Sequence, residues 1–173
     1  RKSLLQVLDF QFSSRWLKTF DESPADMAKG FDESIILSGW AECGKYCSNA
    51  MLRSLSVSGE LEWTRTYADD TGDEPFAVTT VSDGYIVGGQ SSPWGSVGGS
   101  AWLVGTDRMG FKQWSWVLTS EESGAREALP THKWVVEETP GGRFNSGVSS
   151  WVTNLKPVTG GFIAIVRHHV VSP

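Results

Sequence analysis

A segment that ends in tryptophan occurs three times along the chain. In each copy a short apolar run, a turn and a second strand beginning near the tryptophan are indicated. The copies are SLLQVLDFQFSSRW (Ser3–Trp16), AMLRSLSVSGELEW (Ala50–Trp63) and AWLVGTDRMGFKQW (Ala101–Trp114). Four residues before the tryptophan stand Gly59 and Gly110 in the later copies, whereas the first copy has Phe12. The pattern predicts a chain built from repeated units of about 50 residues.

The remainder of each unit is a second pair of strands. Asp83-Gly84, between AVTTV and YIVGG, is a hairpin signal. The aligned segments are FDESIILSG (Phe31–Gly39), VSDGYIVGG (Val81–Gly89) and the weaker PVTGGFIAIV (Pro157–Val166). A unit is therefore predicted to hold four short antiparallel strands. Repeats of about 40–50 residues with four strands are typical of β-propeller blades, because neighbouring blades must cover the faces of each sheet.

The predicted fold is all-β, with antiparallel four-stranded blades of a β-propeller forming one domain over residues 1–173. About three blades are counted, whereas closed propellers have about four to eight. We therefore expect a part of a larger ring, an arc capped by partners, or a subunit that closes by oligomerising. The predicted parts are a half blade at 3–20, blades at 24–67 and 75–118, an insertion at 119–147 and a half blade at 148–168.

Composition and charge support this class and exclude others. The chain has 19 Gly and nine Trp with only 20% charged residues, which suits strands and tight turns better than a helical bundle. Its formal charge of −5 argues against a nucleic-acid-binding surface, which is usually basic. No apolar run approaches the roughly 20 residues of a membrane-spanning helix. We expect neither a nucleic-acid partner nor a membrane span.

The motif D-x-x-G-x-x-x-W at Asp107–Trp114, preceded by SDGYIVGG at Ser82–Gly89, resembles a known repeat. It is similar to β-propeller repeats of the quinoprotein (PQQ-like) type, including those of bacterial and archaeal surface proteins. The second copy departs from the pattern, with Ser56 in place of the aspartate. The resemblance implies that the blade tryptophan docks against the neighbouring blade. The residues given this structural role are Trp16, Trp63 and Trp114, with Gly59 and Gly110 at the turns.

The two cysteines, Cys43 and Cys47, leave three alternatives open. A disulfide would favour an oxidising compartment, either extracellular or an organelle lumen. Free loop thiols are the second alternative, and half of a metal site is the third. A zinc site would need two further ligands, and the chain has three histidines. Because no nucleophile elbow or phosphate-binding loop is present, we predict no catalytic residues, no metal and no cofactor.

Three tryptophans are candidates for binding. Trp40 and Trp94 are predicted to lie in loops outside the core, and Trp134 lies in the predicted insertion. Exposed indoles stack on sugar rings or anchor protein partners, and packing over the local loop is the alternative. We predict a non-catalytic segment that acts as a structural or protein–protein interaction subunit, joined to other subunits or further blades. A carbohydrate-binding surface propeller is the alternative, followed by a remnant of a quinoprotein-related enzyme.

Overall fold

The computed structural model describes residues 3–8, 11–21, 24–44, 47–67, 71–93, 99–117, 135–137, 148–159 and 161–170. Within these ranges the regular elements are strands, apart from one short 3-10 turn at Phe31–Glu33. The strands are β1 Ser3–Leu8, β2 Ser14–Phe20, β3 Pro24–Lys29, β4 Ile35–Gly44, β5 Cys47–Leu55, β6 Leu61–Tyr67, β7 Thr71–Val81, β8 Gly84–Pro93, β9 Ser100–Asp107, β10 Lys112–Val117, β11 Val135–Glu137, β12 Val148–Val158 and β13 Gly161–Val170.

The strands form two complete four-stranded sheets and two hairpins. The first sheet has the order β3-β4-β5-β6 and the second β7-β8-β9-β10, with every neighbouring pair antiparallel. The N-terminal hairpin is β1–β2, and the C-terminal hairpin is β12–β13 with β11 parallel to β13 on its outer edge. The all-β prediction and the antiparallel four-stranded sheets are confirmed. The domain boundaries stay a prediction, and of the insertion at 119–147 only residues 135–137 are described.

One residue in the turn before each of the three repeated tryptophans has a positive φ. Gly59 and Gly110 have φ values of 84° and 78°, and Phe12 has a φ of 61° at the same point of its repeat. This left-handed region suits glycine and is unfavourable for a bulky side chain. The common sign of φ explains why glycine recurs there, and Phe12 adopts it without being a glycine.

A polar residue at the start of the turn holds this shape. Asp107 accepts hydrogen bonds at Oδ1 from the amides of Met109 and Phe111, each at 2.9 Å. In the first sheet Ser56 takes the same position, and its Oγ accepts the amide of Glu60 at 3.1 Å. The serine that departs from the sequence motif thus still supplies a side-chain acceptor for the amide four residues ahead.

The sheets and hairpins pack face to face because apolar residues alternate to both sides of each strand. Strand β7 lies against β3, β4 and β5, and β12 lies in the same way against β7, β8 and β9. The order of layers is N-terminal hairpin, first sheet, second sheet and C-terminal hairpin. The buried residues between successive layers include Leu5, Phe20, Leu37 and Leu55, then Ile36, Leu52, Val87 and Val104, and then Ile86, Leu103, Val152 and Phe162.

Candidate functional site

The junction between the N-terminal hairpin and the first sheet is formed by a tryptophan on a glycine turn. The Trp16 ring lies so close to Gly59 that an added Cβ would be 3.0 Å from its Cδ2. Its Nε1 donates to the carbonyl of Val57 at 2.9 Å. Lys18, two residues later on β2, donates from Nζ to the Gly59 carbonyl. The glycine therefore gives the indole a flat surface and gives the lysine an acceptor.

The junction between the two complete sheets repeats this contact. A Cβ on Gly110 would lie 2.6 Å from Cζ3 of Trp63. Tyr67, four residues after that tryptophan, donates its hydroxyl to the Gly110 carbonyl at 2.8 Å. Burial raises the pKa of the Tyr67 phenol, and the Asp107 carboxylate adds to this while Arg65 opposes it. The neutral phenol is thereby kept as a hydrogen-bond donor between the sheets.

Two guanidinium groups cross the same junction onto aromatic rings. Arg65 of β6 lies 4.2 Å from the ring centre of Phe111, and Arg108 of the β9–β10 turn lies 4.3 Å from that of Phe31. Cation–π contacts of this kind contribute about 0.5–1 kcal/mol at exposed sites. A hydrogen bond between backbone and side chain also joins the two sheets, since the Val78 amide donates to Oδ2 of Asp26 at 2.9 Å. This junction is linked by apolar, aromatic and polar contacts.

The junction between the second sheet and the C-terminal hairpin differs. Trp114 pairs across the strands with Gly105, and its indole occupies the space that a Cβ at 105 would fill. Beside it lies an open cleft of about 520 Å³. Acidic, amide and apolar side chains from both layers line the cleft, among them Asp83, Asp107, Gln113, Trp114, Val158 and Phe162. In this junction the repeated tryptophan lies on a glycine of its own sheet.

Of the three candidate binding tryptophans, the described part of the chain includes Trp40 alone. Trp40 lies within β4, half-buried and paired with Ala50, so its expected place in a loop is wrong. Strand β4 extends past Gly39 because Trp40, Ala41 and Glu42 still pair with residues of β5. Trp94 and Trp134 lie outside the described residues. A binding role for these three tryptophans stays a prediction.

The cysteine alternatives also remain open. Cys43 and Cys47 belong to the facing ends of β4 and β5, and their side chains lie outside the described part of the chain. Across the described ranges, no group of three or more His, Cys, Asp or Glu residues is arranged to hold a metal ion. Those same ranges contain no helix with the length and apolar character needed to cross a membrane.

No protein-family model and no curated protein matches the chain. The resemblance to quinoprotein-type repeats therefore stays a prediction that rests on the sequence motif.

Sequence reasoning overlooked two residues of these junctions. Tyr67 follows Trp63 by the same four residues that separate Phe20 from Trp16, and both aromatic side chains are buried. The repeat alignment therefore held the signal for Tyr67. Gly105 had no such signal, because its role depends on the register that places it opposite Trp114.

Proposed function

We propose that the chain is a non-catalytic β-propeller segment that serves as a structural and protein–protein interaction module of a larger assembly. Its role is to continue a face-to-face series of sheets into a neighbouring polypeptide or neighbouring repeats. Sheets of this kind are completed by adjacent sheets rather than by a separate core.

The observation that carries the proposal is that the C-terminal hairpin is half of a four-stranded sheet. Strand β12 lies on the second sheet as β7 lies on the first, so β12–β13 repeats the place of β7–β8. Beside β8, however, runs the long antiparallel β9, whereas the described neighbour of β13 is the three-residue parallel β11. A third four-stranded sheet would therefore need two more strands at the edge of β13.

The outer faces of both hairpins carry apolar side chains. On the N-terminal hairpin Leu4, Leu8 and Leu17 are 60%, 45% and 55% exposed, and on β13 Ile165 is 43% exposed. In the two complete sheets the corresponding alternation buries apolar residues on both faces. Contiguous exposed apolar surface of this kind marks a contact with another sheet or partner.

The mass of the purified chain in solution, measured over a wide range of concentrations, tests the proposal. We expect association, because burial of these faces removes apolar area from water at roughly 25 cal/mol per Å². Sedimentation velocity should show species heavier than the 18.9 kDa monomer. A soluble, folded monomer at every concentration would contradict the proposed role.

A matched pair of variants shows whether the end face is responsible. Leu17→Lys places a charge on the outer face of β2 and should weaken association. Met27→Lys changes an equally exposed apolar residue, at 55%, on β3 of the first sheet and should leave association unchanged. Equal effects of both variants would mean that association is non-specific.

A further inference from the structure

We propose that the partner of the Trp114 cleft is a second copy of this chain, whose N-terminal hairpin inserts Phe12 there and completes the sheet of β12–β13. This inference rests on the proposed function and names its partner. Each copy would offer its hairpin to the cleft of the other.

The two hairpins are complementary halves of one repeat unit. In the complete sheets the first two strands are β3–β4 or β7–β8, and the last two are β5–β6 or β9–β10. The C-terminal hairpin occupies the first-half position against the second sheet. The N-terminal hairpin aligns with the second half, since its turn residue and tryptophan match those of β5–β6 and β9–β10. Together they supply the four strands of one sheet.

The Trp114 junction differs from the complete junctions in where glycine stands, and this difference makes room for Phe12. In the complete junctions the turn residue is glycine, and the tryptophan of the preceding sheet lies directly on it. A phenylalanine in the same left-handed turn would collide with an indole in that pose. Trp114 instead lies back on Gly105, whereas the cross-strand partners of Trp63 and Trp16 are Ser54 and Val7. Because Trp114 packs on Gly105, the cleft has room for a side chain at the turn position, where the complete junctions have glycine and no side chain.

The exposure and strain of Phe12 agree with a role in docking. Its side chain is 83% exposed and its φ is 61°, a conformation that costs an L-residue free energy unless the surroundings require it. The cleft of about 520 Å³ is large enough for a phenyl ring and the backbone of its turn. A bulky apolar residue held at a hairpin tip is the type of anchor that fills a pocket in an interface.

Charge complementarity favours the same pairing. Asp83 and Asp107 line the cleft, and Arg15 stands exposed near the tip of the N-terminal hairpin. Addition of β1 along β13 would follow the pairing of β9 with β8 and would displace β11, which pairs with β13 over only three residues. A longer antiparallel ladder would replace a short parallel one, as in strand addition at a sheet edge.

Mutual docking of two copies closes the assembly. Each copy brings two complete sheets, and two shared sheets form at the junctions, which gives six sheets related by a two-fold axis. Six lies within the range of about four to eight blades in closed propellers. Closure leaves neither hairpin with an uncovered outer face, so association should stop at the dimer.

Sedimentation equilibrium on the 173-residue chain and two variants tests the inference. We expect a dimer for the unmodified chain and at least about a tenfold weaker dimer for Phe12→Gly. Phe12→Gly relieves the left-handed backbone, so a misfolded hairpin cannot account for the loss. Met109→Asp, which changes a 54% exposed apolar residue on the turn of the second sheet, should dimerise as the unmodified chain does.

A photocrosslinker then locates the contact. With p-benzoylphenylalanine at position 12, irradiation should yield a covalent dimer whose crosslinked peptide contains Trp114 or residues of β12–β13. Association that is unaffected by Phe12→Gly, forms open oligomers beyond the dimer, or crosslinks elsewhere would overturn this docking while leaving the proposed function standing. A monomer at every concentration would overturn both.

Discussion

The two junctions on either side of the second sheet use the same tryptophan position differently. Toward the first sheet, Trp63 lies on Gly110 of the neighbouring turn, and Tyr67 and Arg65 add contacts to the same turn. Toward the C-terminal hairpin, Trp114 lies on Gly105 of its own sheet beside an open cleft. The repeat therefore sets the strand position of the tryptophan. The glycine on which its indole packs differs with the neighbouring layer.

This difference separates two effects: the local sequence sets the backbone of the turn, and the packing between layers sets the position of the indole. The positive φ at this turn position occurs in Phe12, Gly59 and Gly110 alike, whichever layer lies beside the turn. Indole placement depends on whether a turn from the next layer is present. The contacts that the indoles make across the two junctions should therefore contribute unequal free energies of unfolding. Three comparisons test this.

The largest expected effect comes from removing the indoles. Trp63→Ala should lower the free energy of unfolding by about 3 kcal/mol, because the ring fills space between two sheets. Trp114→Ala should cost about 1–2 kcal/mol, since one side of its ring borders the cleft. Urea denaturation followed by far-ultraviolet circular dichroism measures both, at a protein concentration where the chain is monomeric. Equal losses would show that the two junctions are equivalent.

A smaller contrast is expected between the two glycines. Gly110→Ala should cost about 2–3 kcal/mol, because alanine pays for a left-handed φ and its Cβ displaces Trp63. Gly105→Ala should cost about 1 kcal/mol, because Trp114 can turn into the adjacent cleft. The same denaturation curves give the values. A larger loss for Gly105→Ala would mean that the cleft offers the indole no second position.

The smallest effect concerns Tyr67 and is dependent on pH. Tyr67→Phe removes the hydrogen bond to the Gly110 carbonyl and should cost about 1 kcal/mol at pH 7. Burial raises the pKa of the Tyr67 phenol in the folded chain above the unfolded value of about 10. The stability it contributes is therefore constant below pH 10 and falls as the pH rises further.

The unfolding free energy measured at pH 8, 9 and 10.5 should consequently fall less between pH 9 and pH 10.5 in Tyr67→Phe than in the unmodified chain. Burial also raises the pKa of Tyr85, so Tyr85→Phe is the control that should remove a separate part of the slope. An identical pH profile for Tyr67→Phe and the unmodified chain would show that the phenol does not act as the neutral donor.

Much of the strand pattern could be predicted from the sequence because short apolar runs alternate with turn residues. The hairpin predicted at Asp83-Gly84 is present, but its turn lies one residue earlier, with Ser82 and Asp83 in the turn and Val81 paired with Gly84. The aligned segment ends at Gly39 and the sequence analysis therefore assigns Trp40 to a loop, whereas β4 continues to Gly44. Pairing with β5 carries the strand past Gly39, since ladder hydrogen bonds depend on the partner strand rather than on local residue preference.

The candidate site was less accessible to sequence reasoning. The repeat marked Trp16, Trp63 and Trp114 as equivalent, but it held no information on which layer would face each of them. The part played by Gly105 follows from cross-strand register, and the cleft follows from packing between the second sheet and a hairpin far along the chain. Parallel pairing of β11 with β13 likewise joins segments that share no local signal.

The layered arrangement has a consequence for how the molecule opens. Residues Gly84–Gly89 of β8 and 101–106 of β9 are continuously buried, with layers on both faces. Among the described residues, the N-terminal hairpin is packed against a neighbouring layer on one face alone. In stacked architectures local opening begins where a neighbour is lacking and spreads inward only after that layer has separated. Amide hydrogens of β1 and β2 should accordingly exchange through brief detachment of the hairpin, while those of β8 and β9 exchange only when the whole stack unfolds.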